Sequence, residues 1–436
     1  MKKIFMQDRD ILSIAIPSIV SNITIPLLGL IDLSIVGHLG NTAAIGAIAV
    51  GSMAFNVIYW VFGFLRMGTS GLTAQAFGGN NKQETQLLLS RSVILGLGIG
   101  VLLIVLQVPL LHITLWAMPT EQATGELVES YYRICIWGAP AMLCLYGLNG
   151  WFIGMQNSRI PMFVSIFQNV VNIFASLGLV YGLDMDIQGV ALGTLTAQYA
   201  GMLCSMVCLF RIYGISPQDM PIKKIWNTMA LKRFANVNRD IFLRTLSLVA
   251  VNLYFVSVGA RLGTETLAAN ALLMQFFTLF SYVMDGFAYA GEALCGKFKG
   301  AADGKLLQST VARLFKWGAI MIVIYTSVYI SSGQLCLQCL TNDEKVLQTA
   351  FTYVGWAYAI PTVGAAAFIW DGVFVGTTES HKMLQSAALA ATCFFVIEYC
   401  SEKAWGNHGL WIAFLCYLTA RSVIQTWMYL KMRSRL

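Results

Sequence analysis

"VGHLGNTAAIGAIAV", residues 36–50, has a degenerate second copy in "GARLGTETLAANALL", residues 259–273, at an offset of 223. "GWFIGMQNSRIPM" (150–162) and "GVFVGTTESHKML" (372–384) match at an offset of 222. Two links at nearly one spacing make the chain an internal duplication. Outward from each copy run apolar stretches of about 20 residues or more, the length that crosses a bilayer as a helix. They predict twelve spans, near 11–36, 43–66, 88–115, 126–152, 160–181, 187–212, 239–261, 266–290, 308–332, 346–375, 382–400 and 408–430. Six spans per copy is an even number, so both copies enter the membrane in the same direction. Parallel repeats of this kind are related by an axis along the membrane normal and are typical of secondary transporters.

The expected fold class is therefore an all-α polytopic membrane protein. Its twelve transmembrane helices form two six-helix lobes related by a pseudo-twofold along the membrane normal. Residues 1–212 make the N-terminal lobe and 239–436 the C-terminal lobe. The polar connector "YGISPQDMPIKKIWNTMALKRFANVN", residues 213–238, reads as a cytoplasmic linker.

Composition excludes the soluble classes. Of 436 residues, 57% are hydrophobic and 11% charged, against roughly 25% charged in a soluble domain. The net charge of +7 reads as membrane orientation rather than nucleic-acid binding. Outward connectors hold only Arg261, Lys345 and Lys403, and inward ones hold nearly all other lysines and arginines. That asymmetry places both termini inside. "MKKIFMQDRD" carries acidic residues before a run long enough to span, so no cleavable signal is expected. The ten cysteines read mostly as small packing residues; Cys336 and Cys339 form a lone CLQC with no second ligand pair. No GxxxxGK[ST] phosphate loop, HExxH, nucleophile elbow or TVGYG-like filter occurs, and no soluble domain is left to house catalysis. The chain is not expected to be an enzyme, nor to hold a metal or cofactor.

Polar residues inside spans carry the functional reading, because each is costly in lipid unless paired or facing a cavity. In "PLLGLIDLSIVGHLG" (26–40), Asp32 ends a stripe of Ser18, Ser21, Ile25 and Gly29 on one helical face. Pro17 and Pro26 weaken the same helix, and Pro26 removes the hydrogen bond to the Asn22 carbonyl. Asp32 has two readings: a coupling carboxylate, or a group solvated at the outer interface. Span eight puts Thr278, Ser281, Tyr282, Asp285, Tyr289 and Glu292 on one face, with Glu292 open to a cytoplasmic-interface reading. Span five holds Ser165, Asn169, Asn172 and Ser176; span six holds Thr194 and Gln198. These either line a cavity or tie helices together. Asp371 stands alone in span ten. Arg133 has Glu129 one turn away. Arg66 and Arg244 read as snorkelling to the cytoplasmic side, with an ion pair as the alternative for Arg66. Arg421 is a fourth arginine at a span. His38, His112, His381 and His408 sit at span ends and read as interfacial.

The chain resembles the multidrug and toxic compound extrusion (MATE) family, in its DinF-like branch. The resemblance rests on "IDLSIVGHLGNTAAIGAIAV", "FLRMGTSGLTAQAFGGNN", "VVNIF" with "GVALGTLTAQ", "LGTETLAAN", "DGFAYAGEALCGK" and "WDGVFVGTTES", in that order along nearly the whole chain. It implies a V-shaped cavity and export of amphipathic, often cationic compounds in exchange for protons or sodium ions. Two departures stand out. Proton-responsive members usually carry a carboxylate where this chain has Ser176, and members with a C-lobe sodium site often carry a glutamate in span seven, which has no carboxylate here. The expected coupling groups are then Asp32, with Asp371, Asp285 and Glu292 in the C-lobe. Ser21, Asn169, Asn172, Ser176, Thr194, Gln198, Thr278, Tyr282, Tyr289 and Arg66 are expected to line the cavity. The expectation is a monomeric, proton-coupled exporter in a bacterial cytoplasmic membrane, surrounded by lipid. Its alternatives are a sodium-coupled exporter using the C-lobe acids and a flippase for a lipid-linked precursor.

Overall fold

The computed structural model describes residues 2–37, 42–215 and 222–433; His38 and part of the expected linker lie outside these, as does the Ile25 side chain. Among the described residues every element is helical. The helices are α1 (Lys2–Gly37), α2 (Thr42–Val61), α3 (Phe64–Gly78), α4 (Lys82–Val105), α5 (Gln107–Ala117), α6 (Gln122–Cys135), α7 (Ala139–Gly154), α8 (Arg159–Gly182) and α9 (Asp186–Tyr213). Then follow a short α10 (Ile222–Ile225), α11 (Thr228–Arg261), α12 (Thr264–Gly300), α13 (Gly304–Leu340), α14 (Glu344–Gly376), α15 (Ser380–Trp405) and α16 (Asn407–Arg433). Each expected span falls on one helix or on two consecutive ones. Ten of these stretches, from 43–78 to 380–401, are long and apolar enough among the described residues to cross a membrane; α1 and α16 stand at the first and twelfth expected spans.

The duplication holds at the level of single residues. Asn80 and Ala302 both take a left-handed backbone, φ 54° each, and so do Gln156 (66°) and Thr378 (53°); each pair is 222 residues apart. Asn81 accepts from the Glu84 amide at 3.0 Å to cap α4, and Asp303 accepts from the Leu306 amide at 2.9 Å to cap α13. Such side chains satisfy amides that the first helical turn leaves without partners. Close packing repeats too. A Cβ on Gly150 would sit 2.3 Å from the Arg66 carbonyl oxygen, and one on Gly372 2.2 Å from that of Ala288. Both glycines let two helix backbones touch, and both contacts recur at 222.

The chain divides into two packing units, residues 20–234 and residues 235–436 together with 1–19. Sequence reasoning gave the whole first helix to the N-terminal lobe and set 213–238 apart as a linker. Packing instead assigns α1 through Ile19 to the C-terminal unit. The Gln7 Oε1 atom accepts from Ser309 and from Arg313, at 2.8 Å each, and Asp8 accepts from Arg313 at 2.7 Å and from the Trp317 indole at 3.3 Å. The described part of the connector, through Phe234, packs with the N-terminal unit. Buried Arg91, steadied by Glu84 at 2.8 Å, donates to the carbonyls of Ile225 and Lys224, and Ile225 itself is buried.

Candidate functional site

In the N-terminal unit, α1 is tied to α8 by polar bonds that replace the missing hydrophobic drive between helices in lipid. The Thr24 and Ser165 hydroxyls lie 2.8 Å apart, Asn169 donates to the Thr24 carbonyl at 2.9 Å, and the Tyr181 hydroxyl donates to the Ile35 carbonyl at 3.2 Å. Thr24, which the sequence reading passed over, is the hub of this seam. The seam presents Asp32, eight residues further along α1. Asp32 is buried, and its Oδ1 has no hydrogen-bond partner among the described residues. The reading of Asp32 as a solvated interfacial group does not survive its burial.

Asn172 and Ser176, both fully buried, face α9. Asn172 donates to the Thr194 hydroxyl at 3.1 Å, and a Cβ on Gly193 would meet the Ser176 hydroxyl at 2.2 Å. Gln198 packs over Gly138 in the same way, 1.6 Å from where a Cβ would stand. So Asn169, Asn172, Thr194, Ser176 and Gln198 act first as helix-to-helix contacts. Ser21 is half-buried on α1, and its carbonyl accepts from Thr24. Arg66 is half-buried on α3 and holds a partner. Helix α1 is unbroken through Pro17 and Pro26.

In the C-terminal unit the expectations need correction. Asp371 does not stand alone. Arg244 and Arg421 both donate to its Oδ2, the latter at 2.6 Å, and Gln425 donates to its Oδ1 at 2.7 Å. All four residues are buried. Two guanidiniums against one carboxylate leave the cluster positive, so Asp371 is the counter-ion of an ion network rather than a carboxylate held ready for a cation. Arg244 therefore does not snorkel: a buried acid lies within its reach. The sequence contained the signal, since Arg421 and Gln425 are one turn apart, but it could not show that three helices converge on Asp371. On α12, the Thr278 and Ser281 hydroxyls donate to carbonyls of their own helix, at 3.0 and 2.8 Å. Tyr282, Asp285, Tyr289 and Glu292 all hold partners, and Glu292 is buried rather than interfacial. A further buried carboxylate, Glu398 on α15, accepts from the Tyr254 hydroxyl at 2.9 Å; sequence reasoning missed it. Among the described residues no cluster of His, Cys, Asp and Glu is arranged to hold a metal ion.

Long apolar helices in a duplicated arrangement, with acids and hydroxyls buried inside them, define a multi-pass membrane transporter. Residues 17–177 and 241–400 match the family described as MatE. The chain is 35% identical over 419 residues to DNA damage-inducible protein F of Escherichia coli (strain K12), covering 95% of this chain and 90% of that one. It is 17% identical to the multidrug export protein MepA of Staphylococcus aureus, over 95% of this chain and 93% of that one. A crystal structure of a MATE protein in the bent conformation superposes with a TM-score of 0.89 at 18% identity, over 98% of this chain and 96% of that one. The chain belongs to the MatE family and is a transporter rather than an enzyme.

Proposed function

We propose that the chain exports small amphipathic cations from a bacterial cytoplasm in exchange for protons, with Asp32 as the coupling carboxylate and with no cofactor. The observation that carries this reading is the contrast between two buried aspartates. Asp371 is engaged by Arg244, Arg421 and Gln425; Asp32 has no such cation among the described residues and keeps an oxygen without a partner. An ionised carboxylate at membrane depth is unfavourable, so it takes up either a proton or a cationic ligand. One site that accepts either but not both gives exchange. A proton loaded from outside would expel the drug, and proton loss to the inside would readmit it. The basic inward connectors support the orientation with both termini inside, and the relatives named as multidrug exporters support the substrate class.

The test is efflux of a fluorescent cation from proteoliposomes under separately imposed proton and sodium gradients. The proton gradient should drive efflux by the native chain, and Asp32→Asn should abolish it. Full efflux by that variant sinks the proposal. Efflux driven by sodium alone would move coupling to Asp285 and Glu292. A second reading, translocation of a lipid-linked precursor, draws on buried Arg244 and Arg421, since a pyrophosphate wants convergent guanidiniums. Both are already spent on Asp371, which favours the first reading.

A further inference from the structure

Helix α13 ends at Leu340, and Cys336 and Cys339 lie three residues apart in its closing turn. Both thiols are free and both side chains are exposed. Leu337, between them in sequence, is fully buried, so the thiols stand on the outward side of a turn whose inner side is packed. The expected span ends near residue 332. At about 1.5 Å per residue the two cysteines lie about 6 and 10 Å beyond it. Exposed Gln334 and Gln338 flank them, and Thr341, Asn342 and Asp343 follow, a polar setting at headgroup level rather than in hydrocarbon. At Thr341 the backbone turns extended (φ −151°, ψ 148°), and its amide donates to the Leu337 carbonyl at 3.3 Å. Helix α14 has its own cap, since Asp343 accepts from the Lys345 and Val346 amides at 2.9 and 3.3 Å. The last turn of α13 can therefore change shape without undoing the helix that follows.

We infer that Cys336 and Cys339 are a redox-active dithiol on the outer face of the membrane, closed to an intrahelical disulfide by exchange with an external disulfide. The inference takes its sidedness from the orientation proposed above: with both termini inside, α13 ends outside. Residues i and i+3 of an α-helix have Cα atoms about 5 Å apart, within the roughly 4.4–6.8 Å of a disulfide. Their Cβ atoms are about 5–6 Å apart, against the roughly 3.5–4.5 Å that the bond wants. Tightening the turn to a 3₁₀ form eclipses i and i+3 and closes that gap. A helix end makes this change readily; a mid-helix turn is held by hydrogen bonds on both sides. In the first step one cysteine thiolate attacks an external disulfide, RSSR, giving a mixed disulfide and releasing RS⁻. The second thiolate then attacks the cysteine sulfur of that mixed disulfide and releases the other RS⁻. The two protons that the cysteines lose end on the two released thiolates. Two cysteines are oxidised, and one RSSR is reduced to two RSH. Disulfides persist outside the cytoplasm and are reduced within it, so the oxidant class belongs to the side on which the pair stands.

The experiment treats the full-length chain in detergent with excess oxidised glutathione, quenches in acid and reads the peptides by mass spectrometry. The peptide holding both cysteines should lose two hydrogens and carry no glutathione. Cys336→Ser and Cys339→Ser should each stop at the mixed disulfide and keep one glutathione on the remaining thiol. Both positions are exposed, so neither variant disturbs packing. A native pair that keeps a glutathione, or that stays fully reduced, overturns the inference. Cys204 and Cys208 provide an internal comparison, one turn apart and partly buried inside α9. They should stay unbridged, and closure of that pair to the same extent would refute the argument from the helix end. In intact cells expressing the chain, a membrane-impermeant maleimide should label the reduced Cys336 and Cys339 directly. Labelling only after permeabilisation would put the pair inside and overturn the proposal. None of these readouts involves transport, so a failed efflux assay and a failed disulfide are told apart.

Discussion

Replacing Asp371 by asparagine should cost more stability than replacing either arginine that touches it. The cluster holds two guanidiniums, one carboxylate and the Gln425 amide, all buried. Asp371→Asn keeps the shape but leaves two positive charges facing each other with their counter-charge removed. Breaking a buried ion pair from one side costs about 3–5 kcal/mol. Arg421→Met instead leaves Arg244 and Asp371 as a neutral pair. It loses one charge-assisted hydrogen bond, about 1.5–3 kcal/mol. The double variant Asp371→Asn/Arg421→Met removes one of the two stranded charges and should recover part of the loss, a coupling expected of groups in contact. Thermal unfolding of the purified variants in detergent ranks them. If Arg421→Met melts below Asp371→Asn, or the double variant is no better than Asp371→Asn, the counter-ion account is wrong.

Other outcomes follow from the same geometry. Gly372→Ala should destabilise by about 1–3 kcal/mol, as overpacking does, because its Cβ would press on the Ala288 backbone; a melting temperature equal to the native chain's would refute that contact. Asn172→Ala should cost about 1 kcal/mol through loss of its bond to Thr194, with unfolding in detergent as the measure. Glu379, in the turn between α14 and α15, is pushed up by burial, but Lys299 and Lys382 outweigh this and hold its carboxyl below the ordinary 4.5. Since the folded value is the lower, its contribution is present above about 4.5 and fades as the pH falls through the folded value. Glu379→Gln should therefore lower the melting temperature at neutral pH and converge with the native chain in acid; a gap that does not depend on pH would count against it.

The spans and the duplication were legible because both rest on sequence-local information: apolar runs long enough for a bilayer, and one spacing recurring along the chain. Asp32 was legible for the same reason, as a charge inside such a run. Partners were not. Thr278 and Asn172 look alike as polar residues in helices, yet one hydroxyl folds back on its own backbone and the other side chain crosses to Thr194. Nothing local to Asp371 announces Arg244, which is 127 residues away in sequence. Glu398 was within reach: applying the offset of 222 to Ser176 leads straight to it. The boundary at Ile19 was hidden, because a continuous helix gives no compositional sign that its two ends pack in different units.

That boundary bears on how the chain is made. Gln7 and Asp8 find their partners at Ser309, Arg313 and Trp317, some 300 residues later, as in the separation of 306 between Gln7 and Arg313. Helix α1 is thus made long before the partners that complete it. Its opening turns must wait, inserted but without their partners, until α13 has been synthesised. Contacts so distant in sequence form slowly, because a long loop must close before they are rewarded. A chain truncated before α13 would leave the Asp8 carboxylate without its arginine, which ties the stability of α1 to completion of the second repeat.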